Sequence, residues 1–147
     1  MTDQVQRQAW LSLLAKAPAV RLGELFASLP DVPEHSWLRP PESGGVMVRG
    51  RMGGTGAPFN LGEMTVTRCS LQLAEGAVGH AYVQGRDKQK AERVAVLDAL
   101  LQGNRADEVS QAVLEPLKQE MADAKISRAA KAASTKVDFF TMVRGED

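Results

Sequence analysis

The apolar period of this chain changes twice along its length, and that confines it to a mixed fold. Residues 3 to 17 repeat apolar side chains at helical spacing, with Trp10, Leu13, Leu14 and Ala17 on one face and Thr2 or Asp3 available as N-cap. Pro18 punctuates, and a second helical pattern follows through Leu22, Leu25, Phe26 and Leu29 to Pro30. Two helices joined at a proline predict a helical hairpin. From Glu34 the period drops to two. Glu34 to Arg39 reads as a short strand closed by Pro40-Pro41 and a Ser43-Gly44-Gly45 turn. Val46, Val48, Gly50 and Met52 then alternate with Met47, Arg49 and Arg51 as a second strand. A Gly/Pro-rich loop runs from Gly53 to Gly62 and a third strand spans about Glu63 to Leu73. A fourth follows the Glu75-Gly76 turn from Ala77 to Gln84, and turns this short imply an antiparallel meander.

The helical period then returns. Asp87 is placed to cap a helix whose buried stripe is Ala91, Val94, Ala95, Leu97, Leu100 and Leu101, with Gly103 at its C-cap. A further helical region runs from about Ala106 to Ser134 and is interrupted or kinked near Pro116. Its apolar stripe is thinner: Val109, Val113, Leu117 and Met121. The expected architecture is α+β, with an N-terminal helical hairpin, a four-stranded antiparallel sheet, and C-terminal helices ending in a docking tail. A length of 147 residues fits one domain over 1–147.

Composition narrows the function classes. Lys+Arg and Asp+Glu are both 18, so no global field draws in nucleic acid or anionic lipid. Aromatics make up only 5%, which leaves little for stacking bases on a sheet. Cys69 is the lone cysteine, so neither an internal disulfide nor a zinc cluster is expected, as suits a reducing cytoplasm. Met1-Thr2-Asp3-Gln4 opens no secretory signal, and no apolar run approaches the ~20 residues of a membrane span. The expectation is a soluble cytoplasmic protein with no metal, nucleic-acid or membrane partner.

Two segments carry candidate chemistry. The run from Arg49 through Gly50, Arg51 and Met52 to Gly53-Gly54-Thr55-Gly56 joins stripped backbone to planar cationic forks suited to phosphate or carboxylate. Taken alone it reads first as a structural turn between strands, and it lacks the Gly-Lys-Ser/Thr ending of a P-loop. Gln84-Gly85-Arg86-Asp87-Lys88 lies where a strand hands over to a helix. There free N–H groups, the positive dipole end and two cations can converge on an anion; alternatively Asp87 caps while Arg86 and Lys88 are solvated.

His35 and His80 lack metal-ligand spacing, Cys69 reads as a core thiol, and no nucleophile–base arrangement can be assembled, so catalytic residues stay unassigned. Val137, Phe139, Phe140 and Val143 return apolar side chains to the C-terminus, where they either close the core or anchor a partner.

Three stretches together are recognisable: RMGGTG at Arg51–Gly56 with Thr67-Arg68 beyond it, VQGRDKQKAER at Val83–Arg93, and VDFFTMVRG at Val137–Gly145. With RQAWLSLLA near the N-terminus, they resemble the G subunit of the bacterial carbon–phosphorus lyase core complex, the PhnG family, in order and spacing over essentially the entire chain. The segment Ala57-Pro58-Phe59-Asn60 and the helix after Gly103 match more loosely.

The resemblance implies a subunit that acts with the H, I and L subunits. These support attack of a phosphonate on C1′ of ATP, releasing adenine and giving α-D-ribose 1-methylphosphonate 5-triphosphate; a J subunit cleaves the C–P bond later. It implies no cofactor of the chain's own, ATP being substrate of the complex, and the I subunit as the most direct partner. At the motif positions, substrate or anion candidates are Arg51, Gly53, Gly54, Thr55, Gly56, Arg68, Gly85, Arg86 and Lys88, and docking candidates are Phe139, Phe140 and Arg144. A scaffold that stabilises the I subunit without contacting substrate is the alternative.

Overall fold

Apolar side chains at helical spacing on the first turns and Asp3 at their head give α1, Gln4–Lys16, with the Asp3 carboxylate accepting from the Val5 amide at 3.2 Å. The computed structural model describes residues 3–144, with side chains through residue 135. Pro18 opens α2, Ala19–Ala27. The two helices do not form the expected hairpin: each packs chiefly onto α3, Lys88–Leu101, and α1 also lies against the sheet. The reason is the width of the apolar surface α3 offers. Its residues 94–101 are all buried, so it presents apolar surface to helices and sheet at once.

The sheet has three antiparallel strands in the order β1-β2-β3, not four. Strand β1 is His35–Arg51, β2 is Pro58–Leu73 and β3 is Val78–Gln84. The two strands expected at 34–39 and 46–52 are thus a single strand that runs through Pro40-Pro41 and Ser43-Gly44-Gly45. β1 is an edge strand, where an absent proline N–H breaks no ladder on the open side. Register shifts between Trp37 and Arg39 and between Arg39 and Glu42 place one extra β1 residue at each step, which absorbs the prolines as bulges. A third shift beside Val48 puts the extra residue, Leu61, on β2. The expected long loop shrinks to Met52–Ala57, because β2 begins at Pro58.

β3 pairs with β2 only along Val66–Gln72. Beyond that point β1 and β2 continue as a two-stranded arm that ends at the 3-10 turn Met52–Gly54. No residue of β1 is buried, and Met47, Met52, Phe59 and Leu61 stand exposed along the arm. A ribbon without a third layer gains little from burial.

On the body, Cys69, Leu71, Ala81 and Val83 of the sheet pack against Val94, Leu97 and Leu100 of α3, with Leu14, Leu22 and Val113 completing the core. At Gly79 β3 and α3 approach closely, since a Cβ there would run into the Ala95 carbonyl oxygen. Gln102, not Gly103, is the C-cap of α3.

The last helices form one helical run. Ala106–Val109 (α4) leads into a π-type segment, Ser110–Leu114, and then α5, Glu115–Arg144. The π turn is the irregularity expected near Pro116. Glu115 N–H reaches back to the Ser110 carbonyl, five residues away, where the proline ring would crowd a regular turn. Val109, Val113 and Leu117 are buried as expected, while residues 122–135 are exposed. The backbone is helical through Arg144, but the docking candidates Phe139, Phe140 and Arg144 have side chains outside the described set.

Candidate functional site

The sheet has two unlike faces. Thr67, Cys69 and Leu71 point toward α3, while Arg68 and Ser70 alternate with them onto the outer face. On β3, His80 and Tyr82 stand opposite Ser70 and Arg68 and are exposed. On β1, Arg39 pairs with Ser70 and Glu42 with Arg68. A cavity of about 300 Å³ is lined by Arg39, Arg68, Ser70, His80 and Tyr82, with Leu11 and Val94 among its apolar walls. An adjoining groove of about 180 Å³ shares Arg68 and Tyr82 and runs along Glu42–Val46 to Val66. Among the described residues, neither Arg39 nor Arg68 makes a side-chain hydrogen bond or an ion pair. Glu42, directly across from Arg68, does not close on it.

The nine anion candidates fall into separate places. Arg51 and the Gly53–Gly56 stretch form the tip of the arm. The Arg51–Pro58 pair lies eight β1 residues beyond the Ser43–Thr67 pair, about 26 Å at ~3.3 Å per residue. Gly53 and Gly54 have φ of 61° and 82°, the left-handed region that makes glycine necessary there. The amides of Thr55 and Gly56 are both committed to the Met52 carbonyl, and the Arg51 guanidinium donates to the Gly56 carbonyl at 3.3 Å. The tip is a self-satisfied turn.

Gly85, Arg86 and Lys88 lie at the β3–α3 junction. Gly85 donates its N–H to the Thr65 carbonyl and accepts from Thr67 Oγ1 at 2.7 Å, and Thr67 Oγ1 also meets Ser43 Oγ at 2.8 Å. That relay of hydroxyls ties the three strands together at the root of the arm. Asp87 takes the N-terminus of α3, accepting from the Lys90 amide at 2.9 Å. The helix end therefore already holds a carboxylate, and Arg86 and Lys88 extend from it exposed. Only Arg68 of the nine lines the outer-face cavity.

Sequence reading missed a buried and well-partnered carboxylate. Asp98 sits fully buried on α3 and accepts from Arg7 Nε and Nη2 at 3.1 and 2.7 Å, from Trp10 Nε1 at 2.8 Å, and from the His80 amide at 2.9 Å. The Asp98 carboxylate in turn raises the Arg7 guanidinium pKa above its ordinary value, through hydrogen bonding first. One turn on, Gln102 donates to the Val78 carbonyl at 2.8 Å. Together Asp98 and Gln102 pair the outward N–H and C=O of β3 as a neighbouring strand would, which closes that sheet edge. An acid inside an otherwise apolar run was the available signal.

Lys90 reaches the Ala15 carbonyl at 2.8 Å, and burial pulls its pKa below the usual lysine range, with Asp87 partly offsetting this. Burial, with a smaller contribution from Glu92, pushes the Cys69 thiol to about 11, which suits an inert core cysteine. Ser70 Oγ and His80 Nδ1 stand 3.1 Å apart, but on an exposed face with no carboxylate on the imidazole among the described residues. Within the described residues no group of three or more metal-ligating side chains converges, and no helix is long and apolar enough to cross a membrane.

The family model described as "Phosphonate metabolism protein PhnG" matches residues 5–145. The chain belongs to the PhnG family. A PhnG relative from Rhizobium meliloti (strain 1021), named "Alpha-D-ribose 1-methylphosphonate 5-triphosphate synthase subunit PhnG", is 45% identical over 146 residues, 97% of this chain and 91% of the relative. The match runs through the arm, the outer face and the β3–α3 junction alike, so the PhnG likeness is a property of the whole fold.

Proposed function

We propose that this chain is a subunit of an α-D-ribose 1-methylphosphonate 5-triphosphate synthase in phosphonate catabolism. With H, I and L subunits it supports transfer of methylphosphonate to C1′ of ATP with loss of adenine. The observation that carries this reading is the full-length likeness to a relative that bears the synthase-subunit name. The fold agrees with it. A small body holds a saturated internal network around Asp98, while an arm with exposed Met47, Met52, Phe59 and Leu61 projects from it. Such an arm suits a chain whose working state is an assembly, since apolar side chains exposed together mark contact surfaces.

The chain's part is to shape and charge a site rather than to break bonds. It needs no cofactor of its own, ATP being the substrate of the complex, and its most direct partner is the I subunit, with H, J and L completing the system in the cytoplasm. A scaffold that stabilises the I subunit without contacting substrate is the second reading, favoured by the same apolar arm.

Growth of a bacterial strain lacking its own G subunit, with methylphosphonate as sole phosphorus source, tests the proposal. Growth restored by this chain is the expected result. A chain that enters the complex yet leaves the strain unable to use methylphosphonate overturns it.

A further inference from the structure

We infer that the outer face of the sheet binds the phosphate chain of a nucleoside triphosphate, with Arg39 and Arg68 as its cations and Tyr82 beside the base. The inference rests on the synthase reading for the identity of the nucleotide, while the face itself is read from geometry. Arg39 and Arg68 line one cavity from neighbouring strands, Arg39 opposite Ser70 and Arg68 two residues along from it. They differ from Arg7, Arg21 and Arg105 of the helical layer, each of which clasps a carboxylate. Two guanidinium groups lining one cavity, with no carboxylate paired to them among the described residues, raise a local positive potential, which an incoming anion lowers. Planar forks of donors match phosphoryl oxygens in geometry as well as charge.

The remaining lining is mixed, with Leu11, Cys69, Ala81 and Val94 as apolar walls. Ser70 and His80 add hydroxyl and imidazole to the cavity, and the lining holds no acid; Glu42 belongs to the adjoining groove. Tyr82 is shared by both hollows and is 55% exposed, an aromatic ring held on a strand beside open space. A ring so placed offers a stacking surface for a purine. The cavity of about 300 Å³ accommodates the charged chain, and the adjoining groove extends from the same Arg68 and Tyr82. The cavity also reaches the helical layer, since Leu11 of α1 and Val94 of α3 line it beside Cys69 and Ala81.

Photolabelling of the assembled complex with 8-azidoadenosine 5′-triphosphate, followed by peptide mapping of this chain, tests the inference. Label is expected on the β3 peptide that contains Tyr82. Excess ATP or tripolyphosphate is expected to suppress it, and methylphosphonate alone is not. In the double variant R39Q/R68Q, labelling falls at least ~10-fold while the complex still assembles by size exclusion, and R68K retains part of it. Label that ignores both arginines, or that lies elsewhere on the chain, overturns the inference. So does suppression by methylphosphonate but not by tripolyphosphate, which makes the ligand the phosphonate. Loss of assembly in R39Q/R68Q also overturns it, because the face is then a protein interface. Adenine release by the wild-type complex is measured in parallel: its absence defeats the synthase reading and leaves the labelling result standing on its own.

Discussion

The indole N–H of Trp10 lies 2.8 Å from a carboxylate oxygen of Asp98, so a helix at the start of the chain is fastened to the central helix through a buried charge. The same carboxylate takes two hydrogen bonds from Arg7 and one from the His80 amide, joining α1, α3 and the outer edge of β3 at one point. Replacing Asp98 by Ala strands these donors around an empty acceptor site. We expect Asp98→Ala to lower stability by about 3–5 kcal/mol, as removal of one partner from a buried pair does. Urea denaturation of the full chain followed by tryptophan fluorescence reads this. A loss below about 1 kcal/mol contradicts the hub role of Asp98.

The close approach of β3 to α3 makes a second prediction. Gly79→Ala drives a methyl group toward the Ala95 carbonyl, which belongs to a rigid helix backbone. The strand has to move away, and overpacking of this kind costs about 1–3 kcal/mol. Gly76→Ala is not an adequate control, since φ there is 108°. Gly44→Ala is the control, because nothing lies within 4 Å of its added Cβ. Thermal melts of the two variants are expected to separate clearly, and coincident melts refute the close packing.

Cys69 predicts a pH dependence whose sign follows from its raised pKa. Well below pH 9.0, the ordinary thiol value, folded and unfolded chains both keep the proton and Cys69 contributes no slope. Between there and about 11 the unfolded chain releases the proton first, so stability falls as pH rises. Urea midpoints between pH 8 and 11 are expected to drop more steeply for wild type than for Cys69→Ala. The native thiol is also expected to resist a disulfide reagent at pH 8 until denaturant is added. Rapid native reaction contradicts the burial.

Much of this fold is legible in the sequence because local signals and tertiary demands agree. Asp3 and Asp87 cap the helices that their positions announce, and the turn at Glu75-Gly76 falls where the alternation breaks. Pro40-Pro41 misleads because proline ends a central strand but not an edge strand, and edge status is set by strand order rather than by local sequence. The helical hairpin misleads for a related reason: whether two adjacent helices pack together or both pack on a third depends on an apolar face some seventy residues away. At the candidate site, Arg68 is the residue that its motif singled out. Its neighbours Arg39, His80 and Tyr82 were not readable, since pairing register alone brings them together. Asp98 went unread because its donors come from two other elements, α1 and β3.

The arm gives a prediction that separates folding from assembly. Phe59 and Leu61 are exposed and remote from the core around α3. Phe59→Asp together with Leu61→Asp is expected to leave stability of the isolated chain within about 0.5 kcal/mol, as exposed positions do. The same pair is expected to prevent association with the I subunit in pull-down and size exclusion. Unimpaired association removes the arm from the interface.

The most direct test of the account is the rate of adenine release from ATP and methylphosphonate by the reconstituted H, I and L subunits, measured with this chain omitted and then restored. The account predicts release, with ribose 1-methylphosphonate 5-triphosphate as co-product by phosphorus NMR, only when the chain is present. Equal release without it, from subunits shown to be folded, contradicts the claim that it belongs to the synthase.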